Sequence, residues 1–374
     1  MKILAVDQTG VLAADRGLWR ALNGADACTV VLVVPESWPE GGMTLQYETE
    51  ASRLKVIPAR ALFAGKSHRA FYPSLGSVVA SEKPDILYVN AEPESFLAWQ
   101  AARIKQKSPQ MKLVFMSWRN IDYPPGEFPY KLPLLNALAE RTTLRYADHC
   151  IAHNQSAKEI FQRKGFKGIT VIPPPVDTAM FNPSHYSTTP SLHQKVFTVG
   201  FIGRLSYEKN IDLLLHAVAG LTLDYQLHLV GDGPAKTGLQ RLASSLGIAG
   251  RITWTGPVLH SRVAEQLRAM HVLVLPSRTT KYWKEQFGRI LIEAMACGVA
   301  VVGSDSGEIP NVIGDARLIF KEGDEEGLRT HLITLADENV RNGFVQKGFE
   351  RVSKIYNLGV IAGQWLRVFK TVRA

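Results

Sequence analysis

Two runs of short, continuously apolar segments, one on each side of a proline-rich stretch, constrain this chain more than any other feature. The first run reads KILAVD from Lys2, CTVVLVVP from Cys28, ILYVN from Ile86, LVFMSW from Leu113, CIAH from Cys150 and ITVIP from Ile169. The second reads VFTVGFIG from Val196, YQLHLVG from Tyr225, ITWTG from Ile252, VLVLPS from Val272 and VAVVGS from Val299. Strands this apolar are buried on both faces, which calls for parallel sheets covered by helices. Helical patterns fall between them, around Leu18–Leu22, Arg69–Ser81, Ser95–Lys107, Tyr130–Tyr146 and Ser156–Lys164 in the first run. In the second run they fall near Asn210–Ala219, Ala235–Leu246, Ser261–Arg268, Phe287–Ala296 and Glu325–Ala336. The fold class is α/β, with two doubly wound, Rossmann-like domains.

The stretch IPPPVDTAMFNPSHYSTTPSLHQK breaks the pattern, because consecutive prolines continue neither a helix nor a central strand. The expected division is residues 1–175, a linker over 176–195, and residues 196–355. The tail from Val340 to Val372 reads as helices, the last amphipathic through Ile361, Trp365 and Phe369. That helix, about 356–374, is expected to cross back onto the first domain. Ligands are then expected in a cleft at the carboxyl ends of the two sheets.

Composition removes several classes of function. With 46% hydrophobic and 21% charged residues over 374 positions, this is an ordinary globular chain long enough for two cores. No apolar run approaches the ~18 residues of a membrane span, and the N-terminus MKILAVDQTG reads as a strand without a signal-peptide layout. The three cysteines, Cys28, Cys150 and Cys297, sit in apolar settings and read as buried thiols of a reducing, cytoplasmic compartment. The net charge of +9 is spread over both halves and no nucleic-acid motif occurs, so nucleic acid is not an expected partner. Two acid-free windows stand out, residues 51–81 with Arg53, Lys55, Arg60, Lys66 and Arg69, and residues 95–121 with Arg103, Lys105, Lys107, Lys112 and Arg119. A solvated surface is the plainer reading of these, and peripheral contact with an anionic inner membrane face is the alternative.

The stretch from Trp283 to Gly298, WKEQFGRILIEAMACG, places Glu285 just before a helix and Glu293 about two turns into it. The two carboxylates would reach different parts of one elongated ligand, although an amphipathic helix with two exposed acids reads equally from spacing alone. Gly288 at the helix start would let a backbone approach a ligand, and N–H groups there favour phosphate. After the strand VFTVGFIG, Gly203 permits a turn, and Arg204 and Lys209 share one loop, suited to a diphosphate or to a plain exposed turn. The turn VGDGP is weak by itself. In GSDSGEIPNVI, from Gly303, Glu308 reads as a sugar-hydroxyl acceptor or, more plainly, as an exposed first-turn helix acid. There is no GxGxxG after the first strand, no GxxxxGK[ST], no Asp-x-Asp, no metal-ligand spacing and no GxSxG. Dinucleotide binding, P-loop chemistry, a required metal or cofactor, and acyl transfer therefore lose their support.

The segments GRLSYEKN, VGDGP, EQFGRILIE, EAMACGVAVVGSDSGEIP and VIPPPVD occur in the order and frame of the retaining glycosyltransferases of family 4, and the chain resembles them over residues 170–320. The resemblance implies the GT-B fold and metal-independent hexosyl transfer from a nucleotide sugar, UDP being the commonest nucleotide, to an acceptor hydroxyl on a glycan, lipid-linked or small molecule. It implies Arg204 and Lys209 on the donor diphosphate, with Glu285 facing the sugar hydroxyls. Glu293 would hold the ribose, and Gly203, Phe287, Gly288, Arg289, Ser306 and Gly307 would line the donor. It makes the first domain the acceptor side. Where the family often has GGxE near its first strand this chain reads DQTGVLAADRG, with Gly10 the nearest counterpart. Where many members carry a histidine it has Ser117, Trp118, Arg119 and Asn120. A nucleotide-sugar-binding module without turnover and a nucleotide-sugar epimerase on the same fold remain the alternatives.

Overall fold

The computed structural model describes residues 1–25, 28–40, 43–124, 126–183 and 196–374. The chain forms two compact units, one of Met1–Pro175 with Leu358–Ala374, the other of Val176–Asn357.

In the first unit β1 (Lys2–Val6) leads through α1 (Gly17–Asn23) to β2 (Thr29–Pro35), a hairpin of β3 (Ser37–Glu40) and β4 (Met43–Gln46), and β5 (Lys55–Ala59). Then follow α2 (Leu75–Glu82), β6 (Ile86–Val89), α3 (Phe96–Lys107), β7 (Lys112–Ser117), α4 (Pro133–Tyr146), β8 (His149–Ala152), α5 (Gln155–Arg163) and β9 (Ile169–Val171). The strand order is β5-β2-β1-β6-β7-β8-β9, all parallel, with Leu4 opposite Val31 on one side and Leu87 on the other. Because strand side chains alternate, Leu4 and Val6 enter the core on one face of the sheet while Ile3 and Ala5 enter the core on the other. The order reverses between β1 and β6, where the chain leaves one half of the sheet and starts the other.

The second unit repeats the plan with β10 (Phe197–Ile202), α6 (Ile211–Ala219), β11 (Tyr225–Val230), α7 (Lys236–Ser245), β12 (Ile252–Thr255), α8 (Val263–Arg268) and β13 (Val272–Leu275). It continues with α9 (Arg289–Ala296), β14 (Ala300–Ser304), α10 (Ile309–Ile313), β15 (Ile319–Phe320), α11 (Glu325–Ala336) and α12 (Glu338–Arg351). Its parallel order is β12-β11-β10-β13-β14-β15, with the reversal between β10 and β13. The last helix, α13 (Leu358–Arg373), belongs to the first unit. It closes one face of that sheet with Ile361, Trp365 and Phe369, each at most 3% exposed. The Trp365 ring lies 5.6 Å from Trp19, 5.1 Å from Tyr88 and 5.7 Å from Phe369, at the steep mutual angles that aromatic quadrupoles favour.

Several boundaries differ from the sequence reading. The helix expected from Arg69 starts at Leu75, because Pro73 keeps Tyr72 out of the helical region and leaves residues 60–72 irregular around a Leu62–Phe71 bridge. The helix expected from Tyr130 starts at Pro133, whose missing N–H costs nothing in a first turn. The edge strand β5 carries Pro58, a residue that argues for an edge, and it falls inside one of the acid-free windows. Of the expected linker, residues 176–183 pack onto the second unit: Phe181 is buried, and Arg268 Nε donates to the Asn182 carbonyl at 2.8 Å. The remaining linker residues, 184–195, lie outside the described residues. Trp365→Ala should cost about 3–5 kcal/mol by opening a cavity against Trp19 and Tyr88, read as a lowered urea midpoint; a loss below about 1 kcal/mol would show that α13 does not hold the first unit together.

Candidate functional site

In the second unit the sequence-selected residues gather where the strand order reverses, beyond the carboxyl ends of β10 and β13, the place at which open α/β sheets bind ligands. The loop after β10 carries Lys209 and the loop after β13 carries Ser277 and Glu285. Lys209 Nζ lies 2.6 Å from Glu285 Oε2, and Ser277 Oγ donates to the same oxygen at 2.8 Å. Glu285 is 7% exposed, so its charge needs these partners. The Trp283 ring flanks Lys209, with Nζ 4.8 Å from its centroid. Arg204, on the same loop as Lys209, is exposed; its carbonyl accepts from the Ser206 N–H, but its side chain makes no hydrogen bond or ion pair among the described residues, which leaves the guanidinium available to an anion.

Glycine is required where these loops meet. Gly307 has φ +57°, and a Cβ there would stand 2.0 Å from the Glu285 carbonyl oxygen. That contact locks the turn after β14 to the backbone of Glu285, helped by Glu308 N–H donating to the same carbonyl at 3.1 Å. A Cβ on Gly231 would likewise meet the Gly203 carbonyl at 2.0 Å, so the VGDGP turn braces the Arg204 loop from below. This gives that weak motif a structural purpose that spacing did not reveal.

The helix α9 begins at Arg289, two residues later than read, because Gly288 takes the left-handed conformation (φ +83°) as its N-cap. Phe287 packs inward at 3% exposure, its ring against Tyr356. Glu293 faces His260, whose Nε2 lies 3.0 Å from Oε1, and Arg289 approaches to 3.7 Å. His260 escaped the sequence reading because it comes from the β12–α8 loop, 33 residues from its partner. Ser306 is buried with its hydroxyl 3.0 Å from Thr279 Oγ1. Glu308, read more plainly as an exposed acid, is instead 9% exposed, because α10 folds its first turn against the Glu285 loop.

The first unit has its own polar cluster at its point of reversal, beyond β1, β6 and β7. Asp7 accepts from Trp19 Nε1 at 2.8 Å, from Thr9 Oγ1 at 2.7 Å and from Asn90 Nδ2 at 2.5 Å. Glu92 accepts from Ser117 Oγ at 2.5 Å and from the Trp118 N–H at 2.7 Å. Glu94, 2% exposed, receives the Tyr130 hydroxyl at 3.3 Å, while its Oε2 and the Oδ1 of Asn90 accept no hydrogen bond among the described residues. The Tyr130 ring stacks on His68 at 3.8 Å. Burial lowers the His68 pKa to about 4, which keeps that ring neutral at ordinary pH. Arg119 is 5% exposed, ion-paired to Glu140 and 3.8 Å from Glu94, with the Phe128 ring 4.8 Å away. Its place in the acceptor-side segment is thus in the interior, supporting Glu94, and Asn120 beside it is 9% exposed. Gly10 lies in a short turn after β1 with its N–H bonded to the Asp7 carbonyl and its own carbonyl taking Arg16 Nε at 2.7 Å, so both of its backbone groups serve the turn. Asp7, Asn90, Glu92, Glu94 and His68 were missed as a group; the position of the first four after β1 and β6, either side of the reversal, is the signal that would have found them, while His68 comes from the irregular stretch after β5 and carries no such signal.

Against known proteins, residues 189–351 match the family profile described as "Glycosyl transferases group 1" and residues 18–180 match "Glycosyltransferase Family 4". The chain belongs to glycosyltransferase family 4. Among its relatives is the "Phosphatidylinositol N-acetylglucosaminyltransferase gpi3 subunit" of Schizosaccharomyces pombe, 26% identical over 91% of this chain and 74% of that protein. Another is the "D-inositol 3-phosphate glycosyltransferase" of Rhodococcus opacus, 28% identical over 60% of this chain and 52% of that protein. The chain spans about half or less of several further relatives. Among solved structures, Anabaena Alr3699/HepE in complex with UDP superposes with a TM-score of 0.73 at 19% identity, over 99% of this chain and 100% of that one. That likeness shows the GT-B fold of two Rossmann-like units.

One consequence for this glycosyltransferase-family chain is measurable without a substrate. Burial, and then the charge of Glu94, raise the Glu92 carboxyl from 4.5 to about 8. The folded chain then holds a proton that the unfolded chain releases, so this group's contribution to stability falls as pH rises from 4.5 to about 8. Glu92→Gln should flatten that decline in a thermal-melt series, and an unchanged slope would refute the raised pKa.

Proposed function

We propose that this protein transfers a sugar from a nucleotide diphosphate sugar, with UDP as the nucleotide, to an acceptor hydroxyl with retention of the anomeric configuration. The observation that carries the reading is the convergence of Lys209 and Glu285 at the reversal point of the second sheet, with Arg204 free on the same loop. Arg204 and Lys209 neutralise the diphosphate, and the N-terminal turn of α9 adds its dipole. Glu285 accepts hydrogen bonds from sugar hydroxyls, Glu293 holds the ribose diol, and the backbone around Phe287, Gly288 and Gly307 follows the donor. Ser306 supports this backbone through Thr279 and need not touch the donor.

In the reaction the bond from the anomeric carbon to the β-phosphate oxygen breaks, and its electron pair stays on the diphosphate. The acceptor oxygen bonds to the same carbon from the same face, and its proton passes to the departing phosphate oxygen. Two protein cations supply the countercharge, so in this reading no metal ion is required. Asp7, Asn90, Glu92 and Glu94 are mostly hydrogen-bond acceptors, which suits the hydroxyls of a sugar or polyol better than a phosphate. The names of two relatives, a phosphatidylinositol N-acetylglucosaminyltransferase subunit and a D-inositol 3-phosphate glycosyltransferase, support a polyol at this position. The described cysteines are buried and free, which fits the cytoplasm as the proposed location.

The test is nucleotide release from UDP-, GDP- and ADP-sugars with and without polyol acceptors. Wild type should release UDP. Arg204→Ala, at an exposed side chain, should lower turnover about 100- to 1,000-fold. Glu293→Ala should weaken UDP binding by about 10- to 100-fold through loss of a charge-assisted hydrogen bond. Tight binding without release for any acceptor would favour a binding module, and no binding of any nucleotide sugar would end the proposal.

A further inference from the structure

Exposed large apolar side chains are scattered over the described residues with one exception. Leu132, Leu134, Leu135 and Leu138 are 38%, 72%, 47% and 50% exposed, and all lie on the first two turns of α4 or just before it. The inner face of the same helix is satisfied: Asn136, Ala139, Glu140 and Thr143 are buried, and Asn136 Nδ2 donates to the Glu94 carbonyl at 2.8 Å. The leucines are therefore surplus to the packing of the unit, and a cluster of this kind on a water-facing helix marks an interaction surface.

The charges around the leucines decide what the surface meets. Leu134, Leu138, Arg141 and Arg145 follow each other along one stripe at helical spacing, and Lys131 precedes the helix. All three cations are exposed, and none makes an ion pair among the described residues. The one acid of α4, Glu140, points inward to Arg119 and Lys164, so the outward face carries leucine and positive charge only. The acid-free windows noted in the sequence keep Arg53, Arg60, Lys66, Arg103 and Lys107 exposed, but Phe63 is the one large exposed hydrophobic among their described residues, so they lack the apolar half of such a face. Lys55 pairs with Glu82 at 2.6 Å, Lys105 with Asp148 at 3.0 Å, and Arg119 is buried.

We infer that the outward face of α4 is a membrane-docking surface, with Leu134, Leu135 and Leu138 entering the apolar boundary of a bilayer and Lys131, Arg141 and Arg145 meeting anionic lipid headgroups. Apolar side chains flanked by unpaired cations on one side of a helix are what an interfacial helix requires, and neither half of the pattern binds stably without the other. No helix among the described residues is long and apolar enough to cross a membrane, so attachment here is peripheral. The buried side of the same two turns supports Glu94 through Asn136, while Tyr130, just ahead of the leucines, bonds to its carboxylate. An acceptor carried on a lipid would thus present its hydroxyls to the Glu92–Glu94 cluster from a bilayer held by the opposite face of the helix. This last step rests on the acceptor reading given above; the docking surface does not.

The test is flotation of the full chain with vesicles of phosphatidylcholine alone and with phosphatidylglycerol added, at low and high salt. Wild type should float with the phosphatidylglycerol vesicles, remain unbound with phosphatidylcholine alone, and be released by salt. L134D/L138D should reduce vesicle binding by at least about ten-fold, and R141E/R145E by a similar factor at low salt. These side chains lie outside the core, so thermal melting and UDP-sugar binding measured in solution should stay at wild-type values, which separates this inference from the proposed reaction. Absence of flotation by wild type would overturn it, as would equal flotation of the leucine variant. So would a shift of L134D/L138D from dimer to monomer in sedimentation without change at vesicles, which would assign the face to a second copy of the chain.

Discussion

The carboxylate of Glu285 is the point on which the second unit's site depends. It is nearly excluded from water, and a buried charge of this kind is tolerated only when it is paired and hydrogen-bonded. Lys209 and Ser277 meet one oxygen of its side chain, and the turn at Gly307 and Glu308 closes on its backbone carbonyl. Three loops, after β10, β13 and β14, are thereby tied to one residue. The tie also leaves Lys209 fixed, with the exposed Arg204 side chain five residues before it on the same loop. A paired cation and an exposed one on a single loop suit the anionic ligand proposed above.

The first unit solves a related problem with a different balance. Arg119 is surrounded by Glu94, Glu140 and aromatic rings, and it offsets carboxylates that burial would otherwise disfavour. Even so, the pKa values of Glu92 and Glu94 remain raised, and Glu94 Oε2 and Asn90 Oδ1 accept no hydrogen bond among the described residues. Buried acceptors left open at a strand-end edge are costly to stability, and such a cost is commonly kept where a ligand later supplies the missing donors. The α4 helix joins the two properties of this unit. Its buried side helps shape the carboxylate cluster, and its outer side carries leucines that the fold does not use.

Much of the architecture was legible. All strands of the two sheets except β5 and β15 were found because a strand buried on both faces has a nearly pure apolar signature, and α3 and α11 were found nearly to the residue because their caps, Ser95 and Asp324, are good N-cap residues. What escaped was weakly patterned for physical reasons. The edge strand β5 is half exposed and holds Pro58, β15 is two residues long, and the β3–β4 hairpin lacks a clear alternation. Charge counted along the chain overstates the basic windows, because Lys55 and Lys105 pair with Glu82 and Asp148 from other segments.

The sequence by itself determined two doubly wound units and marked Arg204, Lys209, Glu285 and Glu293 as the residues worth following. Only the tertiary structure decided which of these touch. Lys209 and Glu285 are 76 residues apart and meet because β10 and β13 are neighbours across a sheet reversal. Packing of neighbouring elements likewise turns Glu308 inward and sets His260 against Glu293 in the second unit, and in the first it buries Arg119 and leaves the leucines of α4 facing out. Periodicity fixes which face of one element is apolar. It carries no record of which element will stand opposite, and pairing between distant side chains is set by that neighbour.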